Sequence, residues 1–124
     1  MSELHVDSRE REGVVLLYPR GFVNAHTVRQ FEGEIQRALD EQQYRIVVNC
    51  AGLQYIASAG LGALMAVIEE VRHHGGDIRI AELNETVRNI FEILGFNHLY
   101  RVFPSEVEAV LSFRDAEPGG GPRS

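Results

Sequence analysis

Residues 53–74 read LQYIASAGLGALMAVIEEVRHH, in which one small polar residue, Ser58, interrupts an otherwise apolar approach to a helical pattern. After Ser58 the apolar residues return at helical spacing, whereas charged residues such as Glu69 and Arg72 occupy the opposite side. The predicted apolar stripe consists of Leu61, Leu64, Met65, Ile68 and Val71. Gly75 and Gly76 end the pattern. The segment therefore predicts a helix that begins near Ser58 and packs one side against a core.

Short strands and helices alternate along the rest of the chain, and residues 50–62 form the predicted turn before the helix just described. Strands are predicted at residues 4–9, 14–18, 44–50, 77–83 and 99–103, and further helices at residues 24–41, 84–96 and 105–113. Pro19 is predicted to interrupt the second strand before a short extension through Val23. The candidate helix N-caps are Asn24 or Thr27, Asn84 and Ser105. The helix at residues 84–96 has a predicted apolar face of Val87, Ile90, Phe91 and Leu94.

This order of elements predicts the fold class. Strands that alternate with helices favour an α/β domain with a mainly parallel sheet and right-handed crossovers. The first, alternating strand suits an antiparallel edge strand, and about four helices cover the sheet. In such sheets, binding surfaces gather where strands end and helices begin, and residues 50–62 are one such place.

The charged residues restrict the functions that are available. The formal net charge is -6, and all 12 basic residues are arginine. A negative chain is a poor partner for nucleic acid or an anionic membrane, because both bind basic surfaces. Without lysine, the chain has no Walker-type phosphate-binding lysine, no Schiff base and no lysine general base.

Neither a membrane segment nor a disulfide is predicted. No run of roughly 18 apolar residues occurs, and the charged N-terminus lacks the apolar region of a signal peptide, which favours a cytoplasmic protein. Cys50 is the single cysteine, and it lacks the paired spacing of a zinc site. We interpret it as a small buried residue at a strand end.

Two enzymatic interpretations of the Ser58 turn fit the residues poorly. Gly60-x-Gly62 opens a helix as in dinucleotide-binding proteins, but Met65 stands where the third glycine is needed. A hydrolase nucleophile requires Gly-x-Ser-x-Gly, and Ile56 stands two residues before Ser58. The five histidines lie in no recognisable partner motif. The sequence therefore predicts neither catalytic nor metal-ligating residues.

A structural interpretation of Ser58 stands beside the functional ones. Serine is a preferred N-cap, so Ser58 is predicted to accept hydrogen bonds from the first backbone N–H groups of its helix. A hydroxyl at a helix N-terminus is also a place where a phosphate dianion is well tolerated. Capping and function therefore do not exclude each other.

The same turn resembles the signature of the bacterial anti-sigma factor antagonists, whose fold is the STAS domain. That signature reads Asp-Ser-(Ser, Thr or Ala)-Gly-Leu-Gly after a strand, and residues 57–62 here read ASAGLG. Residues 21–24, GFVN, resemble the family's Gly-x-hydrophobic-Asp before the first helix, and residues 87–103 resemble its later part. The resemblance covers roughly residues 3 to 113.

The resemblance implies a regulatory role rather than catalysis. It implies that Ser58 is phosphorylated by a partner that is both an anti-sigma factor and a serine kinase, and that a metal-dependent phosphatase removes the phosphate. The unmodified protein would bind the kinase, and the phosphorylated form would dissociate. The docking surface implied by the motif consists of Asn24, Ala57, Ser58, Ala59, Gly60 and Leu61, and no cofactor is implied.

Two departures from the family pattern keep other functions open. Ala57 and Asn24 stand where the family usually has aspartate. A STAS adaptor or assembly module that is not phosphorylated, and a small-ligand-sensing STAS domain, therefore remain as alternatives. We expect one domain at residues 1–113, followed by a tail at residues 114–124, RDAEPGGGPRS, whose composition predicts disorder.

Overall fold

The computed structural model describes residues 3–114, and these residues form one α/β domain. Its strands are β1 (Leu4–Arg11), β2 (Val14–Val23), β3 (Arg45–Asn49), β4 (Leu53–Ile56), β5 (Asp77–Ala81) and β6 (Val102–Phe103). Its helices are α1 (Val28–Asp40), α2 (Ser58–His73), α3 (Glu85–Ile93), α4 (Phe96–Leu99) and α5 (Glu106–Ser112). The predicted tail lies outside the described residues, except for Arg114.

The sheet has the order β1-β2-β3-β5-β6. β1 pairs antiparallel with β2, and the remaining ladders are parallel. β4 pairs in parallel with the last residues of β2, on the side away from β1. The predicted fold class, a mainly parallel sheet with an antiparallel edge strand, is thus confirmed. The described residues contain one helix more than the four predicted, namely the four-residue α4.

The two sides of the sheet have cores of different size. On one side, α1, α2, α3 and α4 cover the larger cluster, which includes Phe31, Leu64 and Phe91. On the other side, α5 covers a smaller cluster around Leu16 and Phe113. Because both sides are covered, the central strands read as continuous apolar runs, as in residues 46–48.

β4 is absent from the sequence prediction, which treated residues 50–62 as a turn. The strand has only four residues, and its burial does not alternate: Leu53 and Ile56 are buried, whereas Gln54 and Tyr55 are exposed. A period of two cannot be recognised in so short a segment. The pairing of β4 with β2 is therefore decided by the tertiary structure.

Pro19 does not interrupt β2, which corrects the prediction. β2 runs without a break from Val14 to Val23, and Pro19 pairs with Val6 of β1. The ladder of β2 with β3 ends at Leu17, and the ladder with β4 begins at Gly21. Pro19 thus lies between the two ladders, where the N–H group that proline lacks has no strand to bond.

Two predicted core residues are exposed. Met65 belongs to the apolar stripe of α2 by spacing, yet it is 50% exposed. Leu94 follows the last residue of α3 and is 54% exposed. The other members of these two predicted faces are buried or half-buried. Each correction falls at a border of an apolar face, where spacing alone does not show how far the neighbouring element extends.

Candidate functional site

The candidate site lies where the carboxyl ends of β2 and β4 meet the N-terminus of α2. Val23 of β2 pairs with Ile56 of β4, and the N–H of Ala57 donates to the carbonyl oxygen of Val23 at 2.8 Å. Asn24 and Ala57 follow this pair directly, and Ser58 is the first residue of α2. The parallel pairing therefore brings two distant segments, residues 21–24 and residues 57–59, to one edge of the sheet.

Ser58 is not the N-cap of α2, which corrects the structural interpretation of this residue. Ala57 has the extended backbone of an N-cap, with φ -88° and ψ 174°, and its carbonyl oxygen accepts from the N–H groups of Gly60 and Leu61. Ser58 is exposed, and its Oγ has no hydrogen-bond partner among residues 3–114. The hydroxyl thus stands free at the positive end of a sixteen-residue helix.

Asn24 organises the turn that leads from β2 to α1. Its Oδ1 accepts from the N–H groups of His26 and Thr27 at 2.9 and 3.1 Å. The Thr27 hydroxyl donates to the carbonyl oxygen of Phe22 at 2.7 Å and accepts from the N–H of Asn24 at 3.0 Å. Thr27, rather than Asn24, is the residue directly before α1, but the side chain that caps the turn is that of Asn24.

Gly60 and Leu61 lie beneath the surface of the site. A Cβ at Gly60 would lie 2.5 Å from Cγ1 of Val23 and 2.7 Å from Cγ1 of Ile56. Leu61 is 3% exposed and belongs to the main core. These two predicted docking residues therefore hold α2 against the strand ends. The solvent-accessible part of the site consists of the exposed Ser58 and the half-buried Asn24, Ala57 and Ala59.

The structure adds apolar surface that sequence reasoning missed. Gly62 and Met65 lie four and seven residues after Ser58, so they share its side of α2, and both are exposed. Tyr55, on the adjoining β4, is 44% exposed. The available signal for the exposure of Met65 was its position seven residues after Ser58, on the same side of the helix. Its place in the apolar stripe predicted burial instead.

Two features that some enzyme active centres have, a metal-ligand cluster and a reactive thiol, are absent from residues 3–114. No group of three or more histidine, cysteine, aspartate or glutamate residues there could hold a metal ion. Cys50, near the start of the turn, is 1% exposed, and burial raises the pKa of its thiol to about 12. The thiol is therefore protonated near neutral pH and is a poor nucleophile. No helix in this part of the chain is long and apolar enough to cross a membrane.

A family model described as the STAS domain matches residues 5–109. The chain belongs to the STAS domain family. A STAS relative, BtrV of Bordetella bronchiseptica, is named as an anti-sigma factor antagonist. It is 33% identical over 107 residues, which are 86% of this chain and 92% of BtrV.

Solved structures show the same STAS fold. An anti-sigma factor antagonist from Mycobacterium paratuberculosis superposes with a TM-score of 0.83 at 18% identity, covering 91% of this chain and 96% of its own. The anti-sigma factor antagonist SpoIIAA in its unphosphorylated form superposes with a TM-score of 0.74 at 23% identity, covering 91% and 97%. The family model confirms the predicted family, and these structures confirm its fold.

Within the STAS motif of this chain, the two departures from the family pattern occupy neighbouring positions. Ala57 and Asn24 follow paired residues of β4 and β2, so the two missing carboxylates would lie on either side of one strand junction. The accessible residues of the site (Asn24, Ala57, Ser58 and Ala59) are consequently all uncharged.

Proposed function

We propose that this STAS domain is an anti-sigma factor antagonist that binds a serine-kinase anti-sigma factor and is released when Ser58 is phosphorylated. The observation that carries the proposal is the exposed Ser58 hydroxyl, which has no hydrogen-bond partner among residues 3–114. The names of BtrV and SpoIIAA support the antagonist role. The fold supports it as well, because the strand ends present Ser58 without any catalytic group of the chain's own.

The chemistry around Ser58 explains how one phosphate would act as a switch. The neighbouring Asn24, Ala57 and Ala59 are small and uncharged, so a partner can approach the backbone closely and exclude water. A phosphate adds about -1.5 to -2 charges in the middle of that contact. The helix N-terminus tolerates this charge in the free protein, whereas a dry interface does not. Phosphorylation would therefore favour the dissociated state.

The remaining steps belong to the partners. The kinase would bring ATP and the catalytic groups, and a metal-dependent serine phosphatase would remove the phosphate from Ser58. The antagonist itself would catalyse nothing, and its place would be the cytoplasm, where sigma factors act.

A specific observation favours a second candidate function, that of an adaptor that binds without being phosphorylated. Neither Asn24 nor Ala57 provides a carboxylate beside the Ser58 hydroxyl, and Asn24 Oδ1 is engaged by two backbone N–H groups. A kinase that requires an acidic substrate group would then bind this surface without transferring phosphate.

Intact-mass measurement distinguishes the two functions. The protein is incubated with the candidate anti-sigma factor kinases of its own genome and magnesium ATP, and binding is measured in parallel by calorimetry. The switch predicts a gain of one phosphate that Ser58→Ala abolishes and Thr86→Ala, at an exposed hydroxyl on α3, does not. It also predicts much weaker binding of the phosphorylated protein. Tight binding without transfer would favour the adaptor, and the absence of binding to any such kinase would contradict both.

A further inference from the structure

The outer edge of β1 has no strand beside it in the described part of the chain. β1 is the first strand in the sheet order and pairs with β2 alone over residues 3–114. All eight of its residues take part in that ladder. A strand of this length presents a row of unpaired backbone N–H and C=O groups on its free side, which is a template for another strand.

The hairpin between β1 and β2 determines which residues face outward. Glu12 and Gly13 have φ values of 54° and 77°, as in a two-residue turn with both residues left-handed. Such a turn is closed by a hydrogen-bonded pair, here Arg11 and Val14. At the other end, the N–H of Phe22 donates to the carbonyl oxygen of Glu3 at 3.0 Å. The odd-numbered residues therefore bond to β2, and the backbone groups of the even-numbered residues point away from the sheet.

The side chains of β1 also divide between odd and even positions. The even-numbered Leu4 and Val6 pack with the main core beneath α1. The odd-numbered Asp7 and Arg9 lie on the other side of the sheet and are exposed. An acidic and a basic residue are thus separated by one position, Ser8, on the free strand.

This arrangement is self-complementary when two copies pair about an axis at Ser8. If two copies of β1 pair antiparallel about a two-fold axis at Ser8, Asp7 of each copy lies opposite Arg9 of the other. An axis moved to Asp7 or to Arg9 instead places two like charges directly opposite each other. The same Ser8-centred register pairs the outward backbone groups of Val6, Ser8 and Glu10.

We propose that the outer edge of β1 is a homodimer interface, in which the β1 strands of two copies pair antiparallel about an axis at Ser8. The two sheets become one continuous sheet through this pairing, and the contact is isologous, as two-fold symmetry requires. Asp7 Oδ2 is bonded to Arg20 at 3.0 Å within one copy, which leaves Oδ1 for Arg9 of the second copy.

The interface is separate from the Ser58 site and does not depend on the proposed function. β4, which leads to Ser58, lies on the side of β2 away from β1. A dimer formed through β1 would therefore leave both Ser58 surfaces free, so that one dimer could bind two partner molecules.

A charge-reversal cycle tests the register. Sedimentation equilibrium over a concentration series measures the mass of the wild-type protein, of Asp7→Arg, of Arg9→Asp and of the double reversal. Each single reversal places like charges opposite each other twice and should lower the association constant at least roughly tenfold. The double reversal restores both opposite-charge pairs and should recover dimerisation. Circular dichroism confirms that each variant is folded.

A cross-link tests the position of the axis with a milder change. A hydrogen-bonded antiparallel pair has Cα atoms about 5.5 Å apart, which suits a disulfide. Ser8→Cys should therefore form a covalent dimer on mild oxidation, whereas Gln36→Cys, at an exposed position of α1, should not. The native Cys50 is 1% exposed and does not interfere.

The outcomes decide the proposal in either direction. A dimer that single reversals weaken, that the double reversal restores and that the Ser8→Cys variant traps would establish the β1 interface. A wild-type mass of one chain at all concentrations would overturn it. The charges on β1 would then serve to keep its edge from pairing with another strand. A dimer that the single reversals leave unchanged would also overturn it, since another surface would be responsible.

Discussion

Asn84 joins α3 to β4 through a single side chain. Its Nδ2 donates to the carbonyl oxygen of Leu53 at 2.5 Å, and its Oδ1 accepts from the N–H of Val87 at 2.9 Å. The first bond holds the strand that leads to Ser58, and the second caps α3. The candidate site therefore depends on a residue of a different helix, 26 positions after Ser58 in the sequence.

We expect Asn84→Ala to lower the free energy of unfolding by about 2 kcal/mol, because it removes a cap and a partly buried hydrogen bond together. Asn84→Ser keeps a capping oxygen but cannot donate in the same way, so its stability should lie between those of Asn84→Ala and the wild type. Urea denaturation measures the difference. Asn89→Ala, at an exposed position of the same helix, is the control and should change stability little. Equal stability of Asn84→Ala and the control would contradict the role of Asn84.

The two glycines after Ser58 should respond in opposite directions to the same substitution. Gly60→Ala places a methyl group against Val23 and Ile56 and should destabilise by about 1–3 kcal/mol. Gly62→Ala meets open space and should stabilise by about 0.5–1 kcal/mol, because alanine favours the helix. Denaturant midpoints of both variants measure the contrast. A neutral Gly60→Ala would show that α2 can shift away from the strand ends.

The N-terminus of α2 offers a test of the corrected cap assignment. Ala57 is a poor N-cap, so Ala57→Asp should stabilise the protein by about 1 kcal/mol. Ser58→Ala should change stability by less than about 0.5 kcal/mol, since the Ser58 hydroxyl bonds nothing among residues 3–114. Thermal unfolding of both variants separates the two positions. A loss of about 1 kcal/mol in Ser58→Ala would restore Ser58 as the cap.

Asn24 gives a test of the missing carboxylates that leaves the fold intact. An aspartate at this position can accept from the N–H groups of His26 and Thr27 as Asn24 does, so the turn should persist. If a carboxylate beside Ser58 assists the kinase, Asn24→Asp should raise the rate of phosphate transfer to Ser58. Single-turnover transfer from ATP measures this rate. An unchanged or slower rate would remove Asn24 from the explanation.

The buried thiol of Cys50 should make the free energy of unfolding fall as the pH rises into the alkaline range. Burial raises the pKa of its thiol from 9.0 to about 12, so the unfolded state loses its proton first as the pH rises. The contribution of the neutral thiol is thus complete below pH 9 and is lost progressively between pH 9 and 12. At pH 10 the free energy of unfolding should be lower by about 1 kcal/mol for this reason. Cys50→Ala should reduce the difference in melting temperature between pH 8 and pH 10, and an unchanged difference would contradict the assignment.

Local sequence patterns are sufficient to predict the fold class and the start of α2 near Ser58. The strands around residues 46–48 and 78–80 are buried runs that follow polar residues, and α1 and α2 carry strong helical spacing, so local pattern and tertiary structure agree. The motif at residues 57–62 is predicted to lie where a helix begins, a place where α/β sheets gather their binding surfaces, and α2 does begin at Ser58. These features depend on residues close together in the chain.

Features that join distant segments depend on contacts of the folded chain. β4 is a strand because β2 provides its partner, and Pro19 is tolerated because it falls between two ladders. Met65 is exposed although its spacing is that of a core residue, since no element among residues 3–114 covers that side of α2. Ser58 is free because Ala57 takes the extended backbone that follows β4. For β4 and Pro19 the deciding contacts are made with residues far away in the sequence, so local patterns do not predict them.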